Sequence, residues 1–294
     1  MNKKRLVIFD ILRIIAIFLI FLSHLTFFYN FNTFFFHQLA GTWIGNVFFL
    51  SLGNIGVLLF IFISGAVLEL NKKQVISLID YVRFIYYRAI RIYPAYWISL
   101  IFAAAFYYYL GRELGNLFWQ VSGFNAFINQ WGGVLNPVGW FIGLLMSLYL
   151  LFPFISRAMD KKPELSLTIL CLVSFITTYY INVVCSPTIF GPYTINIARW
   201  FPLCSLFYFG IGIFLVRKGC YPKWQEKTII ISWLGKLSFY LFLFQLPVIN
   251  IAVYFRNPAF LVLVFPISAL VMEIDEKIQF KLREVHPFSF TSHD

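Results

Sequence analysis

From Leu6 to Tyr29 the chain runs for 24 largely apolar and aromatic residues in which Asp10, Arg13 and His24 are the only acidic or basic side chains. A run of about 20 apolar residues has one stable solution in a hydrocarbon layer, a helix, because a helix satisfies its backbone groups within itself. Similar windows recur at Val47–Leu70, Ile92–Leu110, Val138–Ser156, Leu165–Val184, Asn196–Val216, Thr228–Ile251 and Pro258–Ile274, the last of them short and holding Pro266. The expected fold is therefore all-α, a polytopic transmembrane helix bundle of about eight spans. Composition excludes a soluble alternative: 61% of residues are hydrophobic, 21% aromatic and only 12% charged, with a mean hydropathy of +0.80.

The net charge of +11 would suit a nucleic-acid binder if it formed a patch, but it is distributed by side. Lys3, Lys4 and Arg5, the Lys72–Arg91 segment, Arg157 to Lys162, Arg217 to Lys227, and Lys277 to Arg283 all fall on one side of the expected spans, against Arg112, Arg199 and Arg256 on the other. By the positive-inside rule this places both termini in the cytoplasm and makes anionic membrane lipid, with no nucleic acid, the partner of the basic residues. The four cysteines have no metal-ligand spacing, so neither a zinc site nor a disulfide framework is expected. No small-residue cleavage site follows the first apolar run, which stays as a span. With no repeat and no linker, the expectation is one membrane domain, residues 1–274, and a charged cytoplasmic tail, residues 275–294, in a multi-pass protein of the cell membrane.

Arg13 and His24 are eleven residues apart, which at 100° per residue returns to within about 20° of one helix face, roughly 16 Å further along. Asp10 lies one turn before Arg13, close to the same face. An Arg or Asp at the centre of a span costs about 2.5–3.5 kcal/mol on insertion scales, so this stripe has to face protein or water. One reading makes Asp10 and Arg13 a structural ion pair near the inner interface and leaves His24 in the outer headgroup zone. The other makes His24 a general base: it is the only histidine in an expected span, with His37 in an outer loop and His286 and His293 in the tail.

Ser64 and Gly65 end the run "GNIGVLLFIFISG", where small residues permit close helix packing. "YVRFIYYRAIRIYPAYW" (Tyr81–Trp97) combines basic and aromatic residues as an interfacial anchor does, yet Arg88 and Arg91 at i,i+3 also present two guanidiniums on one face, a pairing that suits phosphate. Trp140 opens "GWFIGLLMSLYLLFPFI" (Gly139–Ile155), and "FYFGIGIFL" (Phe207–Leu215) and "LGKLSFYLFLFQLPVI" (Leu234–Ile249) follow.

These elements resemble, in order and over nearly the whole chain, those of the acyltransferase-3 superfamily of integral membrane acyltransferases. "FDILRIIAIFLIFLSH" is similar to its Asp-x-x-Arg-x10-His opening, and "RAIRIYPAYW" to its Arg-x-x-Arg-Ile-x-Pro-x-Tyr element. The resemblance implies transfer of an acyl group, often acetyl, from cytoplasmic acyl-CoA to a hydroxyl or amine of an envelope glycan or lipid-linked saccharide. It makes Arg13 and His24, with Asp10, the expected catalytic residues, and Arg88 and Arg91 the expected donor site, to which Ser64 and Trp140 of the matching helices are added. No metal is implied.

Three departures stand out. Trp140 is followed by Leu145 where many members have Glu, the late motif has Gln245 where His is usual, and about eight spans replace the usual ten, the deficit lying between Val216 and Thr228. The absent Glu is commoner in the branch that acylates surface polysaccharides. The competing functional class is a transporter of a glycan or lipid-linked sugar, since an embedded charged stripe also marks substrate pathways; against it, no two halves of the sequence look alike. A structural scaffold is the third alternative, and it leaves Arg13 without a purpose.

Overall fold

In the computed structural model, residues 6–24, 43–72, 75, 77–124, 135–185, 201–222 and 229–284 are described. His37, His286, His293 and Arg199 lie outside them, as do the expected first span beyond His24 and the start of the sixth. The described residues are 87% helical and contain no strand. Among the described residues nine α-helices follow in order: α1 (Val7–His24), α2 (Trp43–Leu70), α3 (Leu78–Tyr109), α4 (Leu117–Ser122), α5 (Gly139–Lys161), α6 (Pro163–Tyr179), α7 (Leu206–Arg217), α8 (Ile229–Tyr254) and α9 (Val264–Glu284). A wider turn, Tyr180–Cys185, extends α6, and tight 3₁₀ turns, Pro202–Ser205 and Pro258–Leu263, lead into α7 and α9. Among the described residues seven helices are long and apolar enough to cross a membrane, and Pro202–Arg217 is the shorter eighth.

The interfacial anchor and the third span are one continuous helix. Ser77 caps α3 reciprocally: its hydroxyl accepts from the Asp80 N–H at 3.1 Å and Asp80 accepts from the Ser77 N–H at 3.0 Å. From there α3 runs 32 residues, about 48 Å, and passes through Pro94 without ending. The proline removes one backbone donor, which a helix packed among others tolerates.

Helix α8 is the most buried of the membrane-length helices among the described residues. It packs on α1, α3 and α9, while α2 packs on α1 and α7. The α2–α7 approach depends on reciprocal glycines: a methyl at Gly65 would overlap the Phe209 carbonyl oxygen, and one at Gly212 the Phe62 carbonyl oxygen. The sequence reading of Ser64-Gly65 as a packing notch is what the structure shows for Gly65.

At one end of the bundle Lys72, Arg217 and Lys218 are paired with carboxylates. Arg217 meets Glu69 at 2.9 Å and Asp160 at 2.7 Å, Lys72 meets Asp160 at 2.8 Å, and Lys218 meets Glu164 at 2.5 Å. These pairs join the ends of α2, α5 and α7 and the start of α6.

Helix α4, in the segment between the third and fourth expected spans, lies back against α3. Asn116 caps α4 by accepting from the Phe118 N–H, and Gly123 closes it at φ +77°, a left-handed position that glycine adopts without strain. The carbonyls of Gln120, Val121 and Ser122 at its C-terminus take hydrogen bonds from Tyr96 (2.6 Å), Trp97 (3.0 Å) and Tyr93 (2.8 Å). All three donors lie on one stretch of α3, so α4 has its orphan carbonyls satisfied without water.

Candidate functional site

Both ends of the α1 stripe face α8. Asp10 is fully buried against Gly235, where an added Cβ would come within 2.5 Å of the Asp10 Cβ and 2.7 Å of its Oδ1. Fourteen residues later His24 Nδ1 lies 3.2 Å from Gln245 Oε1. Gly235 and Gln245 are ten residues apart on α8, so the two helices run side by side and the 100° spacing of the stripe is what brings both contacts about.

Asp10 Oδ1 accepts from an Arg13 guanidinium nitrogen at 2.7 Å, and Arg13 is 21% exposed. The ion pair named by the structural reading of the stripe therefore forms. Its consequence is directional: Arg13 is drawn one turn toward Asp10, and roughly 16 Å of helix separates its backbone from that of His24. No single reacting atom touches both the guanidinium and the imidazole.

His24 lies level with Gln245, well along the apolar stretch of α8. Gln245 lies nine residues after Lys236 and eleven before Arg256, the charged residues that bound the apolar stretch of α8. At 1.5 Å per residue this puts the histidine about 14 Å from the nearer of them, in the middle of that stretch.

Gln245 is fully buried, and its Nε2 donates to the Phe242 carbonyl at 3.3 Å. Its surroundings are equally determined. Residue 247 is proline, so the Leu243 carbonyl lacks the N–H that a continuous helix would offer it. Asn136, also fully buried, fills that gap: its Nδ2 donates to the Leu243 carbonyl at 3.0 Å and to Ser99 Oγ at 2.9 Å. Sequence reading noted Gln245 as a departure from the family motif and missed its role as the partner of His24. The available signal was an amide side chain two residues before a proline inside a span.

Of the expected donor-site residues, Arg88 and Arg91 lie on α3, which packs on α8. Arg88 is half-buried with its guanidinium 5.2 Å from the Phe84 ring centre, and its Nε has no hydrogen-bond partner. Arg91, one turn on, is exposed, and its backbone carbonyl receives Gln279 Nε2 at 3.4 Å. Gln279 and Tyr240 both donate to Asp275 Oδ2 at 2.6 Å. Asp275, placed by the sequence reading at the start of the tail, is fully buried on α9, which carries the charged residues on to Glu284. Ser64 is half-buried and donates to the Phe60 carbonyl at 2.8 Å, and Trp140 is half-buried with its ring edge-to-face on Phe141. Leu145, where the family pattern has Glu, is part of the core.

The arrangement is a half-buried imidazole with one ring nitrogen held by a buried neutral amide, a charged pair nearer the basic end, and two arginines on a separate helix. A model of the acyltransferase-3 family, described as an acyltransferase domain, matches residues 6–219. The chain belongs to this family. Searches among curated proteins and among solved structures gave no match. The matched residues include Asp10, Arg13, His24, Ser64, Arg88, Arg91 and Trp140, while Gln245 lies beyond them. This member of the family is thus a multi-pass membrane acyltransferase whose α1 histidine leans on a residue outside the matched range.

Proposed function

We propose that this membrane acyltransferase moves an acyl group, acetyl by preference, from cytoplasmic acyl-CoA to a hydroxyl of a cell-envelope glycan or lipid-linked saccharide at the plasma membrane. The observation that carries the reading is His24: an imidazole in the middle of an apolar stretch, fixed by a buried amide, on the stripe that also holds Arg13.

The basic end faces the cytoplasm in this reading, as the positive-inside rule requires. Arg88 and Arg91 receive the CoA phosphates there; the unpartnered Nε of Arg88 and the exposed position of Arg91 suit an incoming anion. The thioester then reaches His24 along the bundle. Arg13, oriented by Asp10, supplies positive charge on that path rather than beside the imidazole. At His24 the hydroxyl proton passes to the imidazole and the oxygen bonds to the thioester carbonyl carbon. The carbon–sulfur bond breaks, and the departing thiolate takes the proton back, giving acyl ester and free CoA thiol.

The test is purified protein in lipid nanodiscs with labelled acetyl-CoA, with and without envelope extract, following thiol release and label transfer. Wild type should transfer label only when extract is present. His24→Ala should lose the transfer while remaining inserted, and Arg88→Ala or Arg91→Ala should raise KM for the donor more than they lower kcat, because phosphate contacts persist from ground to transition state. A fully active His24→Ala ends the catalytic assignment.

A further inference from the structure

The two hydrogen bonds of Gln245 leave its amide only one orientation. Nε2 donates to the Phe242 carbonyl at 3.3 Å, and Oε1 faces His24 Nδ1 at 3.2 Å. Rotating the amide by 180° would set Oε1 against a carbonyl oxygen, acceptor against acceptor, in a site without exposure to solvent. An amide oxygen can only accept. The imidazole nitrogen opposite it must therefore carry a proton.

We propose that Gln245 is the positioning residue for His24, fixing its neutral tautomer with the proton on Nδ1 and the basic lone pair on Nε2. This assigns Nε2 as the atom that removes the acceptor's proton, and it rests on the acyl-transfer reading for its catalytic consequence. The reaction balances as described: the hydroxyl proton moves to Nε2, the Nδ1 proton stays in its bond to Gln245 throughout, and the thiolate recovers the Nε2 proton as it leaves. The carboxylate that performs this orienting task in many histidine-based sites is replaced here by a neutral amide. A neutral orienter suits the location, because an ionised side chain at mid-span costs far more to insert than an amide.

The backbone around the amide is held for the same end. Pro247 strips the Leu243 carbonyl of its helical donor, and Asn136 takes that carbonyl, tying α8 to Ser99 of α3 within one turn of Gln245. A one-residue slip of α8 would carry Gln245 away from α1, and this tie opposes the slip.

Two measurements test the proposal on full-length protein in nanodiscs. The first does not depend on activity. Ring ¹⁵N spectra of ¹⁵N-histidine-labelled protein, with His24 signals identified by their loss in His24→Ala, report which nitrogen bears the proton. Wild type should show Nδ1–H, Gln245→Glu should keep it because a carboxylate also accepts, and Gln245→Leu should shift His24 to a mixture or to Nε2–H. An Nε2–H tautomer in wild type, or Nδ1–H unchanged in Gln245→Leu, overturns the proposal. The second measurement is acyl transfer. Loss of orientation should lower kcat by about 10²-fold with donor KM unchanged, the lower range of what a general base contributes, and Gln245→Glu should recover at least a tenth of the wild-type rate. A rise in donor KM at constant kcat overturns the positioning role. Wild-type protein that shows the Nδ1–H tautomer but transfers no acyl group would instead refute the acyl-transfer reading and leave the hydrogen bond standing.

Discussion

Two regions of the bundle are held together by different chemistry. At the basic end the contacts are ionic, with Glu69, Lys72, Asp160 and Arg217 forming a connected set and Lys236 meeting Glu276 at 2.8 Å. Among α3, α4, α8 and the residues leading into α5 they are hydrogen bonds between neutral groups: Tyr93, Tyr96 and Trp97 on the carbonyls of α4, Asn136 on Leu243 and Ser99, and Gln120 bridging Leu114 to Leu135. The difference follows dielectric. A charge within reach of water keeps part of its hydration and tolerates imperfect pairing, whereas a charge among hydrocarbon and core side chains does not. Asp10 and Asp275, both fully buried, depart from this division, and they adjoin the stripe and the arginine helix to which function is assigned here. Ionisable groups kept where they are expensive mark the working parts of a membrane protein.

The sharpest way to break this comparison is to remove a neutral contact. Asn136→Leu keeps the volume and leaves the Leu243 carbonyl and the Ser99 hydroxyl short of a donor. At about 1–3 kcal/mol for each buried group left unsatisfied, the loss should reach about 2–4 kcal/mol and lower the thermal unfolding midpoint in nanodiscs accordingly. Because the Leu243 carbonyl is short only on account of Pro247, adding Pro247→Ala to Asn136→Leu should return about half of the loss. If the double variant is no more stable than the single one, the carbonyl is not what Asn136 is there to serve.

A smaller effect is expected at the basic end. Glu69 is largely buried and accepts from Arg217 and, at 2.7 Å, from Ser156. Glu69→Gln keeps size and one acceptor, and Arg217 retains Asp160, so the cost should be about 1–2 kcal/mol. Glu69→Gln with Asp160→Asn should cost more than the sum of the two single changes, since Arg217 then has no carboxylate. Simple additivity in that cycle would mean that the ionic set is a row of independent pairs.

Much of this was legible from the chain because the relevant signals are local. The spans are set by runs of about 20 apolar residues, the Asp10–Arg13 pair by i,i+3 spacing, and the common face of Arg13 and His24 by 100° per residue. The two contacts that define the site are not local. His24 and Gln245 are separated by 221 residues, and Asn136 and Leu243 by 107, so nothing in either segment announces the other. The single helix through Pro94 was hidden for a related reason: proline's local preference is to end a helix, and tertiary packing overrode it. Asp275 read as tail because its neighbours in sequence, Glu273, Glu276 and Lys277, are charged, while the burial that distinguishes it comes from Tyr240 and Gln279.

The smallest effect belongs to Lys236 and Glu276, which lie at the same end as the ionic set but differ from it in exposure. Their side chains are 46% and 51% exposed, and the pair joins α8 to α9 through long flexible side chains. In water-like dielectric the attraction is offset by the entropy of holding both chains in one geometry, so Lys236→Ala should change stability by no more than about 0.5 kcal/mol. Raising the salt to 1 M shortens the screening length to about 3 Å and should erase even that difference, while the effect of Glu69→Gln, being largely buried, should persist. The contrast between these two variants across a salt series separates location from burial. If both respond to salt alike, it is position at the basic end that sets their behaviour; if only Lys236→Ala responds, it is access to water, as the division between the two regions requires.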